Sequence, residues 1–168
     1  SLFAGIGGMD LAFERVGFVC KWQVEKDSFA RRALEIHFPN VKKYQDATEI
    51  RYAKLERVHG LVGGDPCPSR SKARRGLPSK HSDLAPYFLE AVHQLRPLWV
   101  CRENVPAADV HQFAFCLECF GYRTCVLEVD SADVTDQSRP REVVIGLHSS
   151  RGLCPAEIFS QRTRDTRS

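Results

Sequence analysis

A cysteine held between two prolines is the most reactive-looking point of this 168-residue chain, in the run Gly63-Gly64-Asp65-Pro66-Cys67-Pro68-Ser69. Proline fixes its own φ and restricts the residue before it, so Cys67 has little backbone freedom. A thiol in that setting is presented rather than packed. Arg70, Lys72, Arg74 and Arg75 follow closely and favour its thiolate. The context reads as a nucleophile, against the commoner role of a lone cysteine as inert core. A second candidate is Glu103, in Glu103-Asn104-Val105 after the apolar run 98–101. An acid at a strand end in apolar surroundings is suited to hold and donate a proton; a helix-entry acid is the plain alternative. The third is Gln137-Ser138-Arg139-Pro140-Arg141. In an extended segment Gln137, Arg139 and Arg141 share one face and suit an anion or a carbonyl edge, where the plain alternative is a solvated turn.

Three further features suit a ligand carrying a ribose and a carboxylate. Phe3-Ala4-Gly5-Ile6-Gly7-Gly8 puts glycines between a strand end and a helix start, where backbone can approach a ligand closely. Glu25 falls about twenty residues later, at the end of the next strand, placed to accept hydrogen bonds from ribose hydroxyls. Asp27, two residues on, reads instead as a helix N-terminal acid. Asp46 could accept from an adenine amino group or cap a helix starting near Ala47, and the residues alone do not choose.

Positioning such residues requires strand ends, and the pattern supplies them. Helices are expected over 9–16, ended by Gly17, over 27–37, stopped near Pro39, over 86–95 and over 107–120, capped by Gly121. Strands are expected over 19–24, 41–44, 60–63, 98–101, 122–129 and 143–147. Strand alternating with helix predicts an α/β fold, a mostly parallel Rossmann-like sheet covered on both faces, with ligands at the carboxyl ends of the strands.

Composition permits this. The chain is 43% hydrophobic and 27% charged, enough to bury a core, and its net charge of +3 neither demands nor excludes a polyanion. Seven cysteines without a visible secretory signal fit a reducing cytoplasm. Cys116-x-x-Cys119 reads as helix cysteines rather than zinc ligands, because no second pair sits at zinc spacing. No stretch is apolar enough to span a membrane.

Taken in order, the glycine loop, Glu25, Asp46, Pro66-Cys67, Glu103-Asn104-Val105 and Gln137-x-Arg139-x-Arg141 resemble the DNA cytosine-C5 methyltransferase family. The resemblance runs from Ser1 to about Gly146. It implies an S-adenosylmethionine-dependent enzyme without a metal, acting on DNA in a bacterial or phage-encoded, cytoplasmic setting. Phe3, Ala4, Gly5, Gly7 and Gly8 would border the cofactor, Glu25 hold its ribose, Asp46 and Ala47 its adenine end, and Pro66 and Leu84 complete the wall. Cys67 would be the nucleophile, Glu103 would bind the cytosine N3 edge, Arg141 would contact the base carbonyl, and Arg139 would support the site.

The chain also departs from the family. Asp65-Pro66-Cys67-Pro68 replaces the usual Pro-Pro-Cys-Gln, and an acid beside the nucleophile opposes the thiolate if it is close and unpaired. Lys26 stands where the family commonly places an aromatic residue against the adenine. The expected division is a catalytic domain over 1–150 and a basic tail over 151–168, with no target-recognition domain. Alternatives are a partner-dependent or non-catalytic subunit completed by a second polypeptide or a homodimer, or an RNA cytosine methyltransferase.

Overall fold

The computed structural model describes residues 1–66, 83–106, 109–133 and 135–152. Cys67 and the tail beyond 152 therefore lie outside the described residues. The strands are β1 (Trp22–Val24), β2 (Lys42–Tyr44), β3 (Gly60–Gly63), β4 (Trp99–Asn104), β5 (Tyr122–Asp130) and β6 (Pro140–His148). The helices are α1 (Gly8–Arg15), α2 (Ser28–His37), α3 (Ala85–Leu95) and α4 (Asp109–Cys119).

β1 pairs with β2 in parallel, and the other four strands run β3-β4-β6-β5. Leu2 joins the two groups, bridging Val24 on one side and Gly63 on the other, both in parallel. β3 and β4 are parallel, whereas β6 runs antiparallel to both its neighbours. The result is the expected mostly parallel α/β sheet, with one strand reversed. All three residues of β1 and Leu61, Val62 and Gly63 of β3 are buried, as strands covered on both faces require.

Helix sequences explain their packing. α3 buries Ala85, Phe88, Ala91, Val92 and Leu95, one stripe at helical spacing, and starts with proline in its first turn. α4 buries Val110, Phe113, Ala114 and Leu117 and packs on β5 and β6, and it carries Cys116 and Cys119 as expected. Asp27 caps α2 by accepting from the Ala30 amide at 2.8 Å, the role its position suggested.

Three expected boundaries differ. β1 is confined to Trp22–Val24 because residues 19–21 have no neighbouring strand to pair with. β4 continues to Asn104, since β6 pairs with it residue for residue from Trp99↔Leu147 to Asn104↔Glu142. β6 likewise begins at Pro140, where a missing N–H is tolerated at a strand start. Glu103 and Arg141 therefore sit inside strands, not in the loops after them.

Candidate active site

The glycine loop forms a turn at the carboxyl ends of the central strands. The Ala4 amide donates to the Val24 carbonyl and the Gly7 amide to the Ala4 carbonyl. Gly7 has φ 90°, and a side chain there would collide with the ring of Phe38, so both backbone and space demand glycine. Phe3 holds φ 52°, a conformation uncommon for a residue with a side chain.

This turn borders a cavity of about 660 Å³. Phe3, Glu25, Lys26, Asp46, Ala47, Pro66 and Leu84, all named from sequence, line it. Ala4, Gly5, Gly7 and Gly8 do not line it; they build the turn behind it. Val24, Ser28, Gln45 and Gly64 also line it and were not foreseen, because they are neighbours of foreseen residues with no chemical signal of their own, and so does Asp27, read from sequence only as a helix N-terminal acid.

Two carboxylates define the cavity's polar side. Glu25 is fixed by backbone: Oε2 accepts from the Gly5 amide and Oε1 from the Asp27 amide, both at 2.7 Å. Each oxygen keeps a lone pair for another donor. Asp46 Oδ1 accepts from the Thr48 amide at 3.0 Å and the Thr48 hydroxyl at 2.8 Å, while Oδ2 accepts from Lys26 Nζ at 2.6 Å. The Lys26 bond, with help from Thr48, holds the Asp46 carboxyl down at about 2. Asp46 raises the Lys26 ammonium in return. Asp46 thus caps a turn and not the helix considered near Ala47.

A second cluster surrounds β4. Its burial alternates, so Val100, Arg102 and Asn104 face the interior and Glu103 the opposite side. Arg141 is two residues from Val143, the partner of Glu103 in the ladder, and so lies diagonally on the same face. Arg141 Nε reaches Glu103 Oε1 at 2.5 Å. Arg139 does not join them; it is exposed, and its amide donates to Asp130 Oδ1 at 2.5 Å. The three-residue face expected for Gln137, Arg139 and Arg141 is absent because the strand starts only at Pro140.

Asp65 is neither exposed nor unpaired. It is 5% exposed, with Oδ1 accepting from Arg102 Nε at 2.5 Å and Oδ2 from Arg102 Nη2 at 2.8 Å. Arg102 also reaches Asp109 Oδ2 at 3.0 Å and lies over the Phe113 ring, 4.4 Å from its centroid. Burial by itself would lower the Arg102 guanidinium, but the Asp65 and Asp109 carboxylates outweigh it and hold it above its ordinary value. Asn104 Nδ2 donates to the Asp65 carbonyl at 3.1 Å. Sequence reading missed Arg102 because it ended the strand at Cys101. Continued two residues, the strand's period places Arg102 in phase with buried Val100, which is the signal that could have found it.

Gly64 connects the cavity to the second cluster. It lines the cavity, and a Cβ built on it would lie 2.9 Å from both Glu103 O and Glu103 Oε2. Only glycine lets the Glu103 carboxylate approach this close. Two described cysteines are of another kind: burial pushes the Cys101 thiol up to about 11 and the Cys20 thiol up to about 12. Neither is a nucleophile near neutral pH.

Comparison with known proteins identifies the family. The C-5 cytosine-specific DNA methylase family matches residues 1–167. The type II methyltransferase M2.BsuMI of Bacillus subtilis is 35% identical over 112 residues, covering 63% of this chain and 28% of that protein. M.HgiDI of Herpetosiphon aurantiacus is 30% identical over 172 residues, 96% of this chain and 55% of that protein. A solved structure described as a prophage-encoded DNA modification methyltransferase from E. coli superposes with a TM-score of 0.74 at 28% identity, over 90% of this chain and 47% of that one. The chain thus spans about half, or less, of the length of these relatives. A Rossmann-like sheet, a cavity at its strand ends and a family match over nearly every residue lead to one assignment: the chain belongs to the C-5 cytosine-specific DNA methylase family.

Proposed function

We propose that the chain is the catalytic core of a DNA (cytosine-5-)-methyltransferase that uses S-adenosylmethionine. The observation carrying this reading is the shared wall at Gly64, which sets the acid–guanidinium pair Glu103–Arg141 directly against the cavity that suits the cofactor.

The cavity's residues fit that cofactor. Glu25, held by two backbone amides, keeps acceptor capacity for ribose hydroxyls. Asp46, paired with Lys26, would take the adenine end, and Phe3, Pro66 and Leu84 would offer apolar walls. When bound, the cofactor supplies an electrophilic methyl group on a sulfonium.

Cytosine C5 is a weak nucleophile, so the protein must activate it. Cys67 as thiolate adds to C6, forming a C–S bond and pushing electron density to C5 and N3. Glu103 at the N3 edge stabilises that charge by sharing a proton, and Arg141 holds the carboxylate and the base carbonyl. C5 would take the methyl group from the sulfonium, leaving a neutral thioether; water then accepts the C5 proton, and that C–H electron pair restores the C5–C6 double bond as the C–S bond breaks and the Cys67 thiolate leaves. A duplex conceals C5 and C6, so the base must leave the stack. Cys67 lies outside the described residues, and Pro66, its neighbour, lines the cavity.

The test is methyl transfer from labelled S-adenosylmethionine to duplex DNA, followed by nucleoside analysis. Label recovered as 5-methylcytosine supports the reading. Label recovered only from RNA in the parallel incubation would replace DNA by RNA, and none from either would contradict it.

A further inference from the structure

We propose that Arg102 is a positioning residue for Cys67, acting through Asp65. The proposal rests on the reading of Cys67 as nucleophile and adds the device that holds its loop.

Asp65 is gripped at three atoms from one strand. Both carboxylate oxygens accept from Arg102, at 2.5 and 2.8 Å, and the backbone carbonyl accepts from Asn104 Nδ2 at 3.1 Å. Arg102 and Asn104 are two apart on β4 and share its buried face. Arg102 is itself immobilised, stacked on Phe113 and bonded to Asp109. Cys67 follows Asp65 by two peptide units, with Pro66 between them. That link is about 7 Å long at most, and proline stiffens it, so a displacement of Asp65 passes to the thiol. β4 therefore anchors the residues that lead to Cys67 with one face and carries Glu103 on the other.

Two observations argue that the pair is kept for more than stability. A buried ion pair is often no better than apolar residues of similar size. This one also leaves Arg102 Nη1 buried with no hydrogen-bond partner, an arrangement that pure stability would not select. Where the family usually has proline before the Pro-Cys dipeptide, ring closure stiffens the backbone. Asp65 achieves the same restraint by pairing, and Arg102 cancels the charge that would otherwise oppose the thiolate.

The experiment compares wild type, Arg102→Met, Arg102→Lys and the double variant Asp65→Asn/Arg102→Met in the full-length protein. Three quantities are read for each: the rate of covalent attachment to a 5-fluorocytosine duplex with S-adenosylmethionine, cofactor affinity, and stability to urea. Arg102→Met is expected to slow attachment by at least about tenfold, since small misplacements of a reacting group are costly, with cofactor affinity unchanged within about twofold. Arg102→Lys keeps the charge without the fork and recovers part of the rate. The double variant recovers stability but not rate. A rate that returns together with stability in the double variant would overturn the proposal, as would an undiminished rate in folded Arg102→Met. If Arg102→Met fails to fold, the double variant alone decides. A wild type that never attaches overturns the reading of Cys67, and the proposal with it, which separates that failure from a change seen only in the variants.

Discussion

The two halves of the site hold their charges in opposite ways. On the cavity side, Glu25 is fixed by backbone amides and Asp46 by a turn and the exposed Lys26, whose side chain is 77% accessible. On the β4 side, Arg102 and Asp65 are 1% and 3% accessible at their side chains and bind each other. Backbone donors are supplied by the fold whatever the neighbouring side chains do, so the first arrangement tolerates substitution around it. Side-chain partners in the interior are mutually dependent, and losing one strands the other. Under the proposed function, the first design suits a pocket that admits and releases a ligand, and the second suits the residues that lead to the nucleophile.

The strongest way to break this contrast is Asp65→Ala. It leaves a buried guanidinium with only the partly exposed Asp109 as partner and is expected to cost about 3 kcal/mol in urea denaturation. A loss no larger than that of an ordinary surface substitution would mean the pair is not buried in solution. Next comes Glu25→Ala, which should leave folding largely intact yet weaken S-adenosylmethionine binding by about ten- to a hundredfold, the scale of hydrogen bonds to a charged group. Calorimetric titration measures it, and wild-type affinity would remove Glu25 from the ribose role.

A smaller effect is expected at Asp46. Its carboxyl is lower folded than unfolded, so its contribution is present above the ordinary value of 3.8 and fades as pH falls toward about 2. Thermal melts of wild type and Asp46→Asn should therefore differ most at neutral pH and converge between pH 4 and about 2. Curves that stay parallel would show that Lys26 and Thr48 do not hold this carboxyl. The smallest effect belongs to Lys26→Ala, which removes an exposed pair and should barely move the melting temperature.

The same contrast governs what could be read from the sequence. The cavity side was legible almost residue by residue, because glycines after a strand and acids at strand ends are local signals. Phe3, Glu25, Lys26, Asp46, Ala47, Pro66 and Leu84 indeed share one cavity. The β4 side was legible only in part. Glu103 and Arg141 meet, but through a ladder register that joins residues 38 apart in the chain. Arg102 was overlooked, and the pairing of Asp65, on which its effect on the thiolate depends, could not be read, because each makes sense only through the other. Arg139 was grouped with Arg141 on a face that the start of β6 at Pro140 does not provide. Local pattern finds residues that act alone on a ligand; it does not find those whose role is set by a distant partner.

The central claim is that Cys67 attacks cytosine from a site shared with the cofactor. Its most direct test is covalent trapping on a 5-fluorocytosine duplex in the presence of S-adenosylmethionine, where fluorine at C5 blocks the final elimination. The account predicts a stable protein–DNA adduct that disappears in Cys67→Ser while cofactor binding persists. An adduct that survives that substitution, or no adduct from a wild type that still binds cofactor and DNA, would contradict it.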